Sequence, residues 1–290
     1  MSNTMVTYPI VTAVSEAEKQ LSICGPWKST NQQQQWFLQY YLACCRGEEV
    51  PEIETFVSRK YEEINAILRD KGYSIQLEPF DPTGSVGFAS ILDFLLEWLR
   101  EGKVTDIVTD DGEEFPAVHV DYDQGLSFYE ADGHEQPIIY LPTKSDHRVY
   151  MSIVDQALEG FALIEKAEQL SGNNQRPWRG EFHEGVTFPM VDLNQEVDLK
   201  WLVGMEALDA HGIPVEIAQA LQQTKLRMNQ FGARAQSAVA IEARSLGLPP
   251  PDYIIDRPFL LWIERDGLCK PLFTGYITPE DWKDPGDIRK

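Results

Sequence analysis

Short β-rich runs separated by turn residues fill the chain from Phe115 onward, and they constrain the fold more than any other feature. Such runs of β-branched and aromatic residues, bounded by Gly, Asn and Asp, are typical of strands joined by tight turns. We predict strands at residues 118–123, 127–130, 137–141, 148–154, 185–193, 221–229, 233–243, 253–255, 259–264 and 270–277. Residues 115–290 are therefore predicted to be a β-rich region.

The first 114 residues have a different pattern, in which apolar residues recur at helical spacing. We predict helices at residues 31–46, 51–72 and 86–99, with Asn31 as a helix N-cap and a short strand at 74–77. Further helices are predicted at 155–170 and 198–206. The predicted fold class is α+β, with a mostly helical region at 1–114 packed against the β-rich region as one compact unit.

Charge limits the classes of partner. The chain of 290 residues has a formal net charge of −21, with 43% hydrophobic and 24% charged residues. A surface this acidic repels phosphates, so we expect neither nucleic acid nor an anionic membrane as a partner. Basic protein partners remain open.

The sequence gives no sign of export or of membrane insertion. We expect a cytoplasmic protein, because the N-terminus lacks a basic region followed by an apolar run. The most apolar segment, residues 86–99, carries Asp93 and Glu97 and is too short to span a bilayer. The four cysteines have no CxxC spacing, and we expect free thiols.

Catalytic motifs are absent. The sequence contains no GxSxG, HExxH, phosphate-binding glycine loop or dinucleotide fingerprint. His119 lies near Asp121 and Asp123, and Asp209 near His211, but with 46 acidic residues such neighbours arise by chance. We expect no metal, no cofactor and no enzymatic activity.

Five segments carry a resemblance in the same order along the chain. The matching residues are Gln124-Gly125 and Phe128-Tyr129; Leu141-Pro142 and Met151-Ser152; Phe188-Pro189 and Asp198-Leu199-Lys200; Asn229 and Gly232; and the closing pair 256–263 and 271–276. Together these segments resemble the C-terminal portion of the serpin family, over about residues 115–282. The closing pair is the most specific of the five.

The resemblance implies a reactive loop. Serpins inhibit proteases by inserting a cleaved loop into a central sheet as a new strand, so alternate loop residues must suit a buried face. Here Gly232 precedes a face of small and apolar residues, and the candidate cleavage sites follow Arg244 and Leu246, with Arg244-Ser245 suited to a trypsin-like enzyme. The face consists of Ala233, Ala235, Ser237, Val239, Ile241 and Ala243. A permanent strand or a surface helix would show similar residues.

Other features count against inhibition. The hinge of inhibitory serpins usually has small uncharged residues, but here it contains Arg234 and Gln236. Gln230 and Phe231 stand before Gly232, where the family usually has acidic residues. The first 114 residues are also too few for the elements that precede this region in a serpin. We therefore expect a non-inhibitory, serpin-like binding or scaffold module whose partner is a protease or another, basic, protein. The alternative is a reduced serpin that inhibits a serine or cysteine protease through residues 233–248.

Overall fold

The computed structural model describes residues 1–95, 97–231 and 251–288. Two compact units are present, one of residues 1–5, 94–193 and 226–290, and the other of residues 6–93 and 194–225. Neither unit is confined to one side of residue 114. The predicted reactive-loop residues, 232–246, lie outside the described residues.

Five α-helices and sixteen strands make up the described chain. The helices are α1 Tyr8–Gln20, α2 Gln32–Trp36, α3 Ala43–Cys45, α4 Tyr61–Asp70 and α5 Phe161–Gln169, with a π-helical turn at Phe37–Leu42 between α2 and α3. The strands are β1 Asn3–Met5, β2 Ile53–Ser58, β3 Ser85–Leu95, β4 Lys103–Val108, β5 Glu114–Asp121, β6 Ser127–Ala131, β7 His134–Pro142, β8 His147–Ile153, β9 Gln175–Pro177, β10 Gly185–Pro189, β11 Val191–Asp198, β12 Glu206–Leu208, β13 Pro214–Met228, β14 Tyr253–Ile254, β15 Phe259–Arg265 and β16 Phe273–Ile277.

A seven-stranded sheet in the first unit has the order β1-β16-β15-β8-β7-β6-β9. Its third strand is β15, which pairs antiparallel with β8 and β16 and whose first five residues are all buried. Trp262 of β15 stacks on Tyr150 of β8 with 5.2 Å between ring centroids. The predicted strands at 127–130, 137–141, 148–154 and 259–264 are confirmed within one to three residues.

The first unit also contains a four-stranded sheet with the order β14-β10-β5-β4. The β4–β5 and β5–β10 pairs are antiparallel, whereas β14 pairs with β10 in parallel. The chain from 185 to 198 forms two strands, β10 and β11, where one strand at 185–193 and a helix start at 198 were predicted. The predicted helix at 198–206 is only a 3-10 turn, Lys200–Leu202.

A third, five-stranded sheet has the order β11-β13-β3-β2, with β12 paired to β13. The predicted helix at 86–99 was wrong, because Ser85–Leu95 is strand β3. Residues 85–92 are buried on both faces of this sheet, so the segment is mainly apolar and lacks the alternation that marks a half-buried strand.

The predicted helix at 51–72 was partly wrong. Its first half is strand β2, which pairs with β3, and only its second half is helix α4. Ile64 and Leu68 of α4 pack on Ile75, Leu77, Ala89 and Ile91 in one buried cluster. Residues 74–77 form no strand. Instead, the Asn65 side chain bonds both backbone groups of Leu77, at 2.7 and 2.8 Å.

The helix predicted at 31–46 is confirmed as α2, the π-helical turn and α3, and Asn31 caps it by accepting a hydrogen bond from the Gln34 amide at 2.9 Å. Helix α1 was not predicted. No helix within the described ranges is long and apolar enough to cross a bilayer.

The cysteines correct one expectation. Cys24 and Cys45 are not disulfide-bonded, but Cys44 and Cys269 each take part in a disulfide. Disulfides persist mainly in oxidising compartments. A cytoplasmic location therefore stays a prediction that these two cysteines do not favour.

Candidate functional site at the two ends of residues 232–250

Asn229, directly after β13, is fully buried and holds the chain where it enters residues 232–250. Its carbonyl oxygen accepts a hydrogen bond from Trp98 Nε1 at 2.7 Å. Its side-chain amide donates to the Gly286 carbonyl at 2.7 Å, and its Oδ1 accepts from the Phe231 amide at 2.9 Å. We call these residues, with Gly102 and Gln230, the proximal anchor.

Trp98 and Gly102 fix the position of the proximal anchor. The Trp98 side chain is 2% exposed and packs edge-on against Phe188, with 5.8 Å between ring centroids. The Gly102 amide donates to the Gln230 carbonyl at 3.1 Å. A Cβ at Gly102 would lie 2.3 Å from Val118 Cγ1, so this close approach of chain to strand requires glycine.

Residues 251–255 hold the other end of the segment, and we call them the distal anchor. Strand β14 contributes only two residue pairs with β10, continued by one bond from the Ile255 amide to the Thr187 carbonyl at 2.9 Å. The Tyr253 hydroxyl donates to Gln136 Oε1 at 2.9 Å. One ring nitrogen of His183 lies 3.2 Å from the Pro251 carbonyl oxygen, and its ring contacts that of Tyr253.

A charged cluster on the four-stranded sheet supports the distal anchor. His119 Nδ1 lies 3.1 Å from Thr187 Oγ1 and 3.4 Å from Asp252 Oδ2, while its Nε2 lies 3.1 Å from Asp121. Lys103 Nζ lies 2.9 Å from the other Asp121 oxygen. Burial tends to raise the pKa of Asp121, but hydrogen bonds from Lys103 and His119 outweigh it and hold that pKa below its usual value.

This cluster does not form a metal site. Asp121 approaches one ring nitrogen of His119 and Asp252 the other, so the two carboxylates do not converge on a single position. The second suggested pair is structural too, because Asp209 Oδ1 accepts the backbone amides of His211 and Ile213, both at 2.9 Å. Such a bond pattern closes a turn.

Strands β3 and β13 are hydrogen-bonded neighbours, and no described strand lies between them. Their beginnings are linked by a bond from the Glu216 amide to the Gly84 carbonyl at 2.9 Å. Their ends are linked by the bond from Trp98 to Asn229. The two strands therefore run in the same direction, and the bond from Trp98 to Asn229 joins their ends just before the start of residues 232–250.

Comparisons with known proteins identify the fold of the chain. No family model matches the sequence. Among curated proteins, antithrombin-III of Ovis aries is 23% identical over 277 residues, covering 75% of this chain and 58% of that protein. Among solved structures, the chain is similar to Serpin48 of the insect Tenebrio molitor, with a TM-score of 0.57, 15% identity and coverage of 95% of this chain and 91% of the other. The chain has the serpin fold.

Two further serpin structures support the assignment. Human thyroxine-binding globulin gives a TM-score of 0.56 at 12% identity, covering 95% of this chain and 91% of its own. The mouse protein-Z-dependent protease inhibitor gives 0.50 at 16% identity, covering 75% and 62%. The resemblance predicted over residues 115–282 is confirmed, and the 95% coverage extends the serpin fold over most of residues 1–114. The chain spans 58% of the length of the curated relative.

Within the serpin fold, sequence reasoning located one anchor residue and missed others. Asn229 was singled out and lies at the end of β13 as expected. Neither Trp98 nor Asp252 was predicted to have a role. Trp98 carries a recognisable signal, since a buried indole N–H needs an acceptor, but the sequence does not say that Asn229 supplies it.

Proposed function

We propose that this chain is a serpin-fold protein-binding module that does not trap proteases covalently and is not an enzyme. The observation that carries the proposal is the proximal anchor. The bond from Trp98 to Asn229 spans the ends of β3 and β13, which is where an inserting loop would have to enter.

Loop insertion would have to break the bonds of the proximal anchor. Opening the sheet between β3 and β13 separates Trp98 from Asn229 and displaces the Asn229 side chain from Gly286 and Phe231. Each such bond contributes about 0.5–1.5 kcal/mol, and a buried partner left unsatisfied costs about 1–3 kcal/mol. Insertion would also have to bring the polar side chains of Arg234 and Gln236, which come next in the sequence, into the sheet.

One observation favours the alternative, a reduced serpin that inhibits a protease through residues 233–248. Ser90 Oγ on β3 and Gln222 Oε1 on β13 are buried without a hydrogen-bond partner among the described residues. Unsatisfied polar atoms weaken the packing of neighbouring strands. A strand that entered between β3 and β13 would offer them partners.

The net charge of −21 supports a basic protein as the partner. A protease is one such candidate, since the resemblance implies proteases as serpin partners. In this proposal a protease is bound or simply cleaves the chain, and no stable adduct forms.

The test is incubation with a trypsin-like and an elastase-like protease, analysed by denaturing gel and mass spectrometry. We expect no covalent adduct, and either resistance or simple cleavage. An adduct of the two full masses, lost in an Arg244→Ala variant with the trypsin-like enzyme, would establish the alternative. Trp98→Phe is the second variant. If the proximal anchor blocks insertion, removing the hydrogen bond from Trp98 should allow some covalent adduct with the protease to form.

A further inference from the structure

Strand β4 is an edge strand that exposes apolar side chains. It lies at the end of the order β14-β10-β5-β4, and no described strand pairs with its outer edge. Val104 is 62% and Val108 60% exposed. An edge strand of this kind presents unpaired backbone groups to which another strand can bond, and native proteins usually cover or charge such edges.

The exposed side chains of β4 form a pattern. Val104, Asp106 and Val108 are separated by two residues each, so they share one face of the strand, and all three are exposed. A strand added beside β4 would place its own alternate side chains against an apolar, an acidic and a second apolar position. The pattern therefore favours a partner strand in which apolar and basic residues alternate.

The turn that joins β4 to β5 adds to the negative charge. Asp110, Asp111 and Glu113 are exposed in this turn, and Glu114, the first residue of β5, is exposed as well. Lys103, at the other end of β4, is already paired with Asp121 at 2.9 Å. The outer edge of β4 is thus bordered by acidic groups whose field attracts a cationic segment.

We propose that β4 is a docking edge for an extended basic segment of a partner protein, which adds to the four-stranded sheet as a fifth strand. Main-chain hydrogen bonds would give affinity, and the alternation of valine and aspartate would select the side chains. A second copy of this chain is disfavoured as the occupant, because antiparallel pairing of two β4 edges about Asp106 would set that carboxylate opposite the same carboxylate of the other copy. The proposal rests on the proposed function and names the surface that would perform it.

The experiment uses the full chain and three ten-residue peptides. One alternates valine and lysine, one alternates valine and glutamate, and one has the valines and lysines of the first in two separate blocks. Binding is measured by calorimetry, and hydrogen exchange of the chain is measured with and without peptide. We expect only the alternating lysine peptide to bind and to slow exchange of alternate amides within residues 103–108.

Two charge reversals locate the site. Asp106→Lys should weaken binding about tenfold, whereas Asp70→Lys, an equal charge change at an exposed position of α4, should leave it within about twofold. Val104→Thr, which keeps the β-propensity, should weaken binding about threefold. Urea midpoints verify that the variants fold.

Other outcomes would overturn the proposal. No binding, equal binding of the block peptide, equal loss in both charge reversals, or protection elsewhere than 103–108 would each remove β4 as the docking edge. Failure here is distinct from failure of the proposed function, because the latter is decided by the covalent adduct with protease.

Discussion

The two anchors of residues 232–250 are built from different interactions. The proximal anchor is a set of neutral hydrogen bonds around the buried residues Trp98 and Asn229. The distal anchor is a two-residue parallel strand beside a cluster of charged groups, in which the Asp252 side chain is 39% exposed. Trp98 and Asn229, at the centre of the proximal anchor, are thus shielded from water, whereas the distal anchor is partly in contact with it.

This difference sets how each end responds to its surroundings. Hydrogen bonds in a low-dielectric interior are costly to break and insensitive to salt, whereas ion pairs near the surface are screened. Local opening begins where buried contacts are few. We therefore expect the distal anchor to open more often, and with stronger dependence on salt and pH, than the proximal anchor.

Replacing Trp98 gives the largest expected effect. Trp98→Ala removes a buried indole and its packing on Phe188, and should lower the free energy of unfolding by about 3–5 kcal/mol. Trp98→Phe keeps an aromatic ring but leaves the Asn229 carbonyl without its donor, at about 1–3 kcal/mol. Urea unfolding followed by circular dichroism measures both. A Trp98→Phe variant as stable as the parent would show that the hydrogen bond does not hold the proximal anchor.

A substitution of Gly185 tests the packing that supports the distal anchor. A Cβ at this position would lie 2.7 Å from His119 Cε1 and 2.8 Å from the Val120 carbonyl oxygen. Gly185→Ala should cost about 1–3 kcal/mol of stability and speed exchange of the amides at 253–255. Gly25→Ala is the matched control, since nothing lies within 4 Å of its Cβ position and it should change neither quantity. Unchanged exchange at 253–255 would contradict a distal anchor that depends on this packing.

The sequence predicted five strands of the seven-stranded sheet, β6, β7, β8, β15 and β16, because turn residues bound them, but it missed the short strands β1 and β9. The turn at Gln124-Gly125 is an example, where Gly125 has a φ of 90° that glycine tolerates. Strand β3 was missed because its residues are buried on both faces, so they show no period of two, and because the mainly apolar run continues to Leu99, a length typical of a helix.

The anchors were mostly beyond the reach of the sequence. Trp98 and Asn229 are 131 residues apart, and His119 and Asp252 are 133 apart, so nothing local pairs them. The resemblance indicated where the segment begins, because Asn229 and Gly232 match a family position. The bonds that hold it depend on tertiary contacts that no spacing rule contains.

Acid titration can also separate the two anchors, once the effect of His134, which belongs to neither of them, is accounted for. Burial, and then the positive charge of Lys166, lower the pKa of His134 to about 4, so the folded protein keeps this imidazole neutral. The contribution of the neutral His134 side chain to the free energy of unfolding is complete above about pH 6.5. It is lost as pH falls from about 6.5 toward about 4, which lowers that free energy by on the order of 1 kcal/mol after allowance for solvent screening. Unfolding midpoints against pH measure the loss, and His134→Gln should abolish it.

In the His134→Gln background the anchors should differ in acid. None of the six residues of the proximal anchor has a titratable side chain, so exchange of the Phe231 amide should follow only the intrinsic pH dependence. The lowered pKa of Asp121 means that its stabilising contribution is present above about pH 3.8 and is lost as pH falls below that value. Amides at 253–255 should then open, and equal opening at both ends would contradict the comparison.

Asp252→Asn gives the smallest expected effect and the sharpest contrast. The substitution keeps the shape of the side chain and removes the charge that lies 3.4 Å from His119. A partly exposed pair contributes about 0.2–1 kcal/mol, so exchange of the Ile255 amide should rise by a factor of about 1.4 to 5, while the Phe231 amide is unchanged. Raising the salt to 0.5 M should reproduce this rise in the parent chain and add little in the variant, since screening and removal of the charge delete the same interaction. If Asp252→Asn were instead as costly as Trp98→Phe and insensitive to salt, the distal anchor would be held by a buried hydrogen bond, and the two ends would be alike.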